Sequence, residues 1–304
     1  MTENKDKDFI GKLEQRAERS LKVEEVNLNS QLYIETINYL RKQKYLKFEE
    51  IIKVIKNSFL SNHPLGYIIK NHENNIVGFM GTIFSKKIHA NQEYTYCNIH
   101  SWVVDKSYRI NSFFLLIPII KKKIILTAFT PVKSLVGLLE KFDFKNIKIY
   151  YRVVCNFNFL ILPKKNNYII EKNSSVIKEM INQTDLKIYN SYHQLPYKKF
   201  MIVDKTNSSK NIFIISSTIK KKGIHILNFF YISNISEFKK NWHQFKSIIS
   251  KEFIVSFFSQ YFFDDLNNAF PPNILLSKTK EKDIFVKDIP PHVKLDILYS
   301  DLIE

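Results

Sequence analysis

A chain of 304 residues, 45% of them hydrophobic, can bury one large core or two ordinary ones. Its longest apolar runs, such as 113–120, fall well short of the roughly 20 residues that cross a bilayer, and its two cysteines define neither a disulfide framework nor a zinc site of the CxxC type. The net charge of +17 would ordinarily point to nucleic acid, an anionic membrane surface or an anionic ligand. The lysines are scattered, however, with short runs only at Lys121–Lys123 and Lys220–Lys222, in a chain crowded with Lys, Asn, Ile, Phe and Tyr and holding 6 Gly, as A+T-rich coding imposes. Nucleic acid is therefore not the expected partner.

The charged start Met1–Asp8 has no apolar signal core, so a reducing, cytoplasmic setting is expected. Ile10, Leu13, Ala17 and Leu21 recur at helical spacing and predict an amphipathic preface over 1–22. A first strand follows at Val23–Val26, then two helices, Ser30–Gln43 and Phe48–Phe59, the second broken by Ser61-Asn62-His63-Pro64. Gly66–Lys70 and Ile76–Ile83 form a hairpin around the turn His72–Asn75. A long strand over Glu93–Val104 leads to the turn Asp105–Arg109, a helix over Ser112–Lys122 and a strand over Ile124–Phe129. Thr130-Pro131 starts a helix over Lys133–Lys141, proline costing nothing in a first turn. Ile147–Leu162 is β-branched and aromatic enough for one or two strands.

The order of elements from Gly66 to Phe144 resembles the acyl-CoA-binding core of the GNAT acyltransferases. The resemblance implies an α/β fold with a mixed central sheet flanked by helices, and a coenzyme site at a splayed central pair of strands. It also implies a family pattern for pyrophosphate, Arg or Gln, two residues, Gly, one residue, Gly or Ala. That pattern falls here on Arg109, Ile110, Asn111, Ser112, Phe113 and Phe114, where Ser112 and Phe114 replace the small residues. Backbone N–H groups at the start of a helix still attract an anion, and Phe114 leaves the path clear provided that its ring turns into the core. The backbone of Val103 and Val104 would hold the pantetheine arm of acetyl-CoA or another acyl-CoA. A second signature, Tyr, three residues, Gly-Phe, falls on Leu139, Asp143 and Phe144, so the usual acid for the leaving thiolate is missing.

For the base, Tyr96–Trp102 is the place to look. Strand alternation puts Asn98, His100 and Trp102 on one face, and a histidine suits proton removal at neutral pH. His100 is the first candidate, with Glu93 second; a core histidine is the competing account of His100. Cys97 reads as a buried apolar thiol. After the polar break 163–167 the same order returns more weakly, with a hairpin over 200–219, a strand over 224–233, a helix over 236–250 and a strand over 253–258. The expected organisation is thus a GNAT-like domain over 23–162 and, over 163–304, a degenerate second copy that would make two related lobes, the alternative being a plain α/β domain. Tyr192-His193 and Trp242-His243 read as packing residues of the second half. No metal-binding motif, P-loop, Rossmann fingerprint or GxSxG occurs. The expected activity is transfer of an acyl group from acyl-CoA to an amine or hydroxyl acceptor that the sequence does not specify. The alternative is a chain that kept the fold and lost the chemistry, serving to bind a ligand or scaffold a partner.

Overall fold

The structure is a computed structural model that describes residues 21–44, 48–49, 51–52, 62–89, 92–129, 131–155, 167–192, 197–221, 223–251, 253, 255–259, 278–291 and 293. The expected preface over 1–22 lies almost wholly outside them, and of the second helix only Phe48, Glu49, Ile51 and Ile52 are described, all helical. The chain divides into two compact units, 1–147 with 283–295 and 299–304, and 148–282 with 296–298.

In the first unit, β1 (Lys22–Val26) precedes α1 (Gln31–Arg41), whose N-cap Ser30 accepts from the Tyr33 N–H at 3.2 Å. β2 (Gly66–Lys70), β3 (Ile76–His89) and β4 (Gln92–Val104) continue a meander. A 3-10 segment (Lys106–Leu115) and the short α2 (Ile117–Ile120) lead to β5 (Ile125–Ala128) and α3 (Lys133–Lys141). The strands pair in the order β1-β2-β3-β4-β5, antiparallel except for the parallel pair β4–β5. The sixth strand is the C-terminal β12 (Lys278–Lys287), antiparallel to β5 through Phe285–Lys287. The single helix expected over 112–122 is split because Pro118, in the first turn of α2, offers no N–H to an α-helix reaching back before it.

One core cluster of this unit includes Tyr67, Met80, Phe84, Cys97, Leu115, Leu126 and Phe285. Another, including Tyr39, Leu40, Ile68, Phe79 and Val103, packs α1 on the sheet. Side-chain alternation along β2 sends Tyr67 and Ile69 to the first and Ile68 to the second.

The second unit holds β6 (Lys145–Cys155), β7 (Tyr168–Glu171), α4 (Ser174–Met180), α5 (Gln183–Ser191), β8 (Lys198–Asp204), β9 (Ile212–Lys221), β10 (Ile224–Ile232), α6 (Ile235–Lys240), α7 (Trp242–Ile249) and β11 (Val255–Ser259). Its order, β7-β8-β9-β10-β11-β6, repeats that of the first unit strand for strand. Antiparallel pairs again lead to one parallel pair, β10–β11, and an antiparallel sixth strand. The two units are related copies, as expected. Each takes its sixth strand from the sequence of the other half: β6, counted above within 23–162, pairs with β11, and β12 pairs with β5. Tyr192 and Trp242 are core residues of the second unit, Trp242 lying 5.4 Å from the Phe238 ring. The side chains of His193 and His243 lie outside the described residues.

α3 ends in a Schellman turn: Phe144 N–H donates to Leu139 O at 3.1 Å and Asp143 N–H to Glu140 O at 3.0 Å, with Asp143 left-handed at φ 62°. That backbone explains why the resemblance expects glycine at Asp143. Asp143 Oδ2, itself exposed, also meets the half-buried Lys287 Nζ at 3.8 Å, a long contact of small worth. Replacing Asp143→Gly should raise the unfolding free energy by about 0.5–1 kcal/mol, read as a higher midpoint in urea at unchanged slope.

Candidate functional site

The site is built where β4 leaves β5. Their pairing ends at Asn98↔Thr127, where Thr127 Oγ1 donates to Asn98 Oδ1 at 3.2 Å, both side chains buried. Beyond it β4 runs on through Ile99–Val104, and among the described residues no strand pairs with that edge. Just past the parting, β4 carries a bulge. Gly81 faces His100 and Phe79 faces Val103, so one residue of β3 is set against Ser101 and Trp102. Ser101 takes the left-handed conformation at φ 46°, strain of the kind that accumulates at functional positions.

His100 is buried at 6% exposure. Its ring lies over Gly81, where an added Cβ would fall within contact distance of Cε1, Nε2 and Nδ1. Nδ1 stands 2.9 Å from Ser101 Oγ. Nε2 has no hydrogen-bond partner among the described residues, and neither does the buried Nε1 of Trp102. Two orphaned ring nitrogens therefore flank the bulge, in a setting where polar groups are normally satisfied. Burial alone depresses the His100 pKa, to about 3, so the ring is neutral at pH 7.

After β4 the chain turns into the 3-10 segment that contains all six positions of the expected phosphate pattern. Arg109 and Ile110 are exposed, Asn111, Ser112 and Phe113 half-buried, and Phe114 is 4% exposed within the core cluster. The Phe114 ring has thus turned inward, which leaves the outer side of the segment clear. The turn is anchored by Asp105, whose Oδ1 accepts from Tyr39 Oη at 3.0 Å and whose N–H donates to Val77 O at 2.9 Å. Val103 and Val104 are buried and paired with Phe79 and Gly78 on the β3 side, so a chain laid along β4 would meet its other edge. These residues fit an extended thioester arm: an open strand edge followed by a cationic, solvent-facing turn.

Glu93 is not brought to this site. It lies at the β3–β4 hairpin end, ion-paired with Lys86 at 2.7 Å, seven positions before His100 and so about 23 Å away along the strand. Cys97 is fully enclosed, and burial pushes its thiol pKa up, away from thiolate. Leu139, at the place of the family tyrosine, is a core residue. Sequence reading missed Ser101 and placed Trp102 with His100; the bulge, invisible to strict alternation, turns Trp102 against the first core cluster. Among the described residues no group of His, Cys, Asp and Glu could hold a metal ion, and no helix is long and apolar enough to cross a membrane.

No protein-family model and no curated protein matches the sequence. Solved structures do match. A GCN5-related N-acetyltransferase from Anabaena variabilis superposes with a TM-score of 0.59 at 14% identity, covering 88% of this chain and 72% of its own. Another from Kribbella flavida gives 0.54 at 8% identity, over 89% and 71%. The chain has the fold of the GCN5-related N-acetyltransferases, in two related units.

The buried neutral His100 ties stability to pH. Its folded pKa lies below the value of about 6.5 for an unfolded histidine, so the unfolded chain binds more protons between the two. Stability present above about pH 6.5 is lost as pH falls toward 3, by up to about 1.4 kcal/mol per unit. Urea unfolding from pH 7 to 4 should show this fall, with a shallower slope for His100→Gln.

Proposed function

We propose that the chain is an acyl-CoA-dependent acyltransferase that moves an acyl group, acetyl in the simplest case, to an amine or hydroxyl acceptor. The observation that carries this reading is the parting of β4 from β5 at the Ser101 bulge, which leaves the β4 edge open beside the turn containing Arg109. The thioester supplies the activated acyl group; the chain binds it and orients it against the acceptor, and such holding is itself a large part of the rate enhancement. Backbone groups of Val103 and Val104 on the open edge hold the pantetheine arm. Arg109 and the backbone from Ile110 to Phe114 hold the pyrophosphate, with Ser112 small enough to let it approach. Acetyl-CoA is the first donor to try, and the cytoplasm the setting in which it would be met.

His100 is given a more limited part than free histidine chemistry would allow. A ring whose pKa is depressed to about 3 is a poor base toward an ammonium group. It serves instead as a positioning residue, its Nδ1 contact holding Ser101 Oγ at the bulge, and an amine acceptor must arrive already neutral. With Leu139 in the tyrosine place, solvent or the acceptor returns the proton to the thiolate.

Thermal unfolding with acetyl-CoA and longer acyl-CoAs tests the binding half. A ligand at 100 times its dissociation constant should add about 2.7 kcal/mol, and Arg109→Ala should reduce the shift. No shift with any thioester would leave the fold without the chemistry, as a ligand-binding or scaffolding protein.

The pH profile tests the role of His100. The pH dependence of kcat/KM for an amine acceptor should follow the ionisation of that amine alone. An additional limb near pH 6.5 that disappears in His100→Gln would make the histidine the base.

A further inference from the structure

The second unit contains a cavity of about 250 Å³ that the proposed acyl transfer does not use. Its walls are Ile170 of β7, Phe200 of β8, Leu227 of β10, and Ile249 and Phe253 at the end of α7. All five belong to, or pack against, the core cluster of this unit. The remaining lining residues are Lys172, Lys198 and Lys199, and among the described residues no acidic one lines the cavity. Lys199 turns its ammonium away, over the Tyr189 ring at 5.7 Å. Lys198, on the same strand face as Phe200, places its ammonium 4.8 Å from the Phe253 ring centroid, over one wall. It has no carboxylate partner among the described residues. The nearby Glu171 carboxylate is occupied by the Lys172 and Asn173 N–H groups, at 2.8 and 2.6 Å.

We infer that this cavity binds a single-chain amphiphile with an anionic head, of the medium-chain fatty carboxylate class. The apolar walls take the chain, and Lys198 at the mouth takes the head. The volume lies below the ~300–1,000 Å³ of sites for drug-sized molecules, which suits one short chain and excludes a two-tailed lipid. The charge selects the head: a cationic amphiphile would meet Lys198, and a neutral one would leave it without a counter-charge among the described residues.

The cavity is confined to the second unit, whereas the proposed coenzyme site belongs to the first. The cavity is formed by the start of β8, the end of β7 and the end of α7. In the repeat these correspond to the start of β2, the end of β1 and the end of α2, and the Leu227 wall corresponds to Cys97 of β4, next to Asn98 where that strand parts from β5.

Calorimetric titration of the full chain with octanoate, decanoate and decyltrimethylammonium tests the inference, with coenzyme A saturating and again in Arg109→Ala. One carboxylate should bind per chain, unaffected by coenzyme A or by Arg109→Ala. Decanoate should bind roughly tenfold more tightly than octanoate, since each buried methylene contributes about 0.8 kcal/mol. Lys198→Glu, at an exposed position, should weaken decanoate at least tenfold, and Leu227→Phe should abolish binding by filling the cavity, its fold checked by circular dichroism. Should Leu227→Phe not fold, Ile170→Phe from the opposite wall replaces it. Failure of both carboxylates to bind, equal affinity for the cationic amphiphile, or indifference to Lys198→Glu would overturn the proposal. Binding lost on adding coenzyme A would assign the carboxylate to the first unit and overturn it equally.

Discussion

The bulge at Ser101 is the constraint on which the first unit's site depends. A regular β4 would keep strict alternation from Asn98 to Val104 and stay in register with β3 throughout. One extra residue breaks that register between Phe79 and Gly81. It leaves His100 over Gly81, directs Trp102 to the first core cluster and returns Val103 to the second. The Asn98–Thr127 hydrogen bond marks the last point at which β4 and β5 are joined. Beyond it, the open edge and the turn at Asp105 follow from chain geometry. Gly81 is needed because the ring it faces occupies the space of a side chain, and Phe114 can stand in a glycine place because its ring is absorbed by the core.

The repeat extends to this detail. In the second unit the parallel pairing of β10 with β11 ends at Asn228↔Phe257, and β10 shifts register against β9 at Phe230. Asn228 thus corresponds to Asn98, and both are buried. The exchange of sixth strands makes each unit's sheet depend on sequence from the other half. β5 cannot acquire β12 until Lys278–Lys287 has been made, and contacts of such separation in sequence slow folding through the entropy of closing long loops. The exchange also explains why the break at 163–167 poorly marks the units: the chain has already entered the second unit at Lys148.

Much of this was legible in the sequence where local signals were strong. The hairpin from Gly66, the strand ending at Val104, and the helix Lys133–Lys141 follow from alternation, helical spacing and Pro131. The second copy was legible as an order of elements. β12 was not, because its first half, Lys278–Asp283, is mostly charged; among the residues whose burial is described, Ile284, Phe285 and Val286 are the buried ones. Nor was the bulge, since Ser101 has no glycine to announce a left-handed residue. His100 was found as a residue but not as an environment. Its basicity is set by enclosure against Gly81, a partner 19 positions earlier, which no local pattern reveals.

Comparison of the two bulges shows where the repeat stops at the side chains. The backbone device is the same, yet the side chains on it differ in kind. Around Ser101 stand His100 and Trp102, each with a ring nitrogen unsatisfied among the described residues. Around Phe230 stand Phe229, which is buried, and Tyr231, whose hydroxyl donates to Asp185 Oδ1 at 2.5 Å. Asp185 is in turn held by Asn182 at 2.8 Å. The bulge of the second unit is thus filled with aromatic rings and one tied hydroxyl, yet Ser216 Oγ, on the residue opposite Phe229, is also buried without a hydrogen-bond partner among the described residues. Unsatisfied buried nitrogens cost stability wherever they occur. Both bulges carry a cost of this kind, through two ring nitrogens at the first and one hydroxyl at the second, so the difference between them lies in the chemistry of the open group.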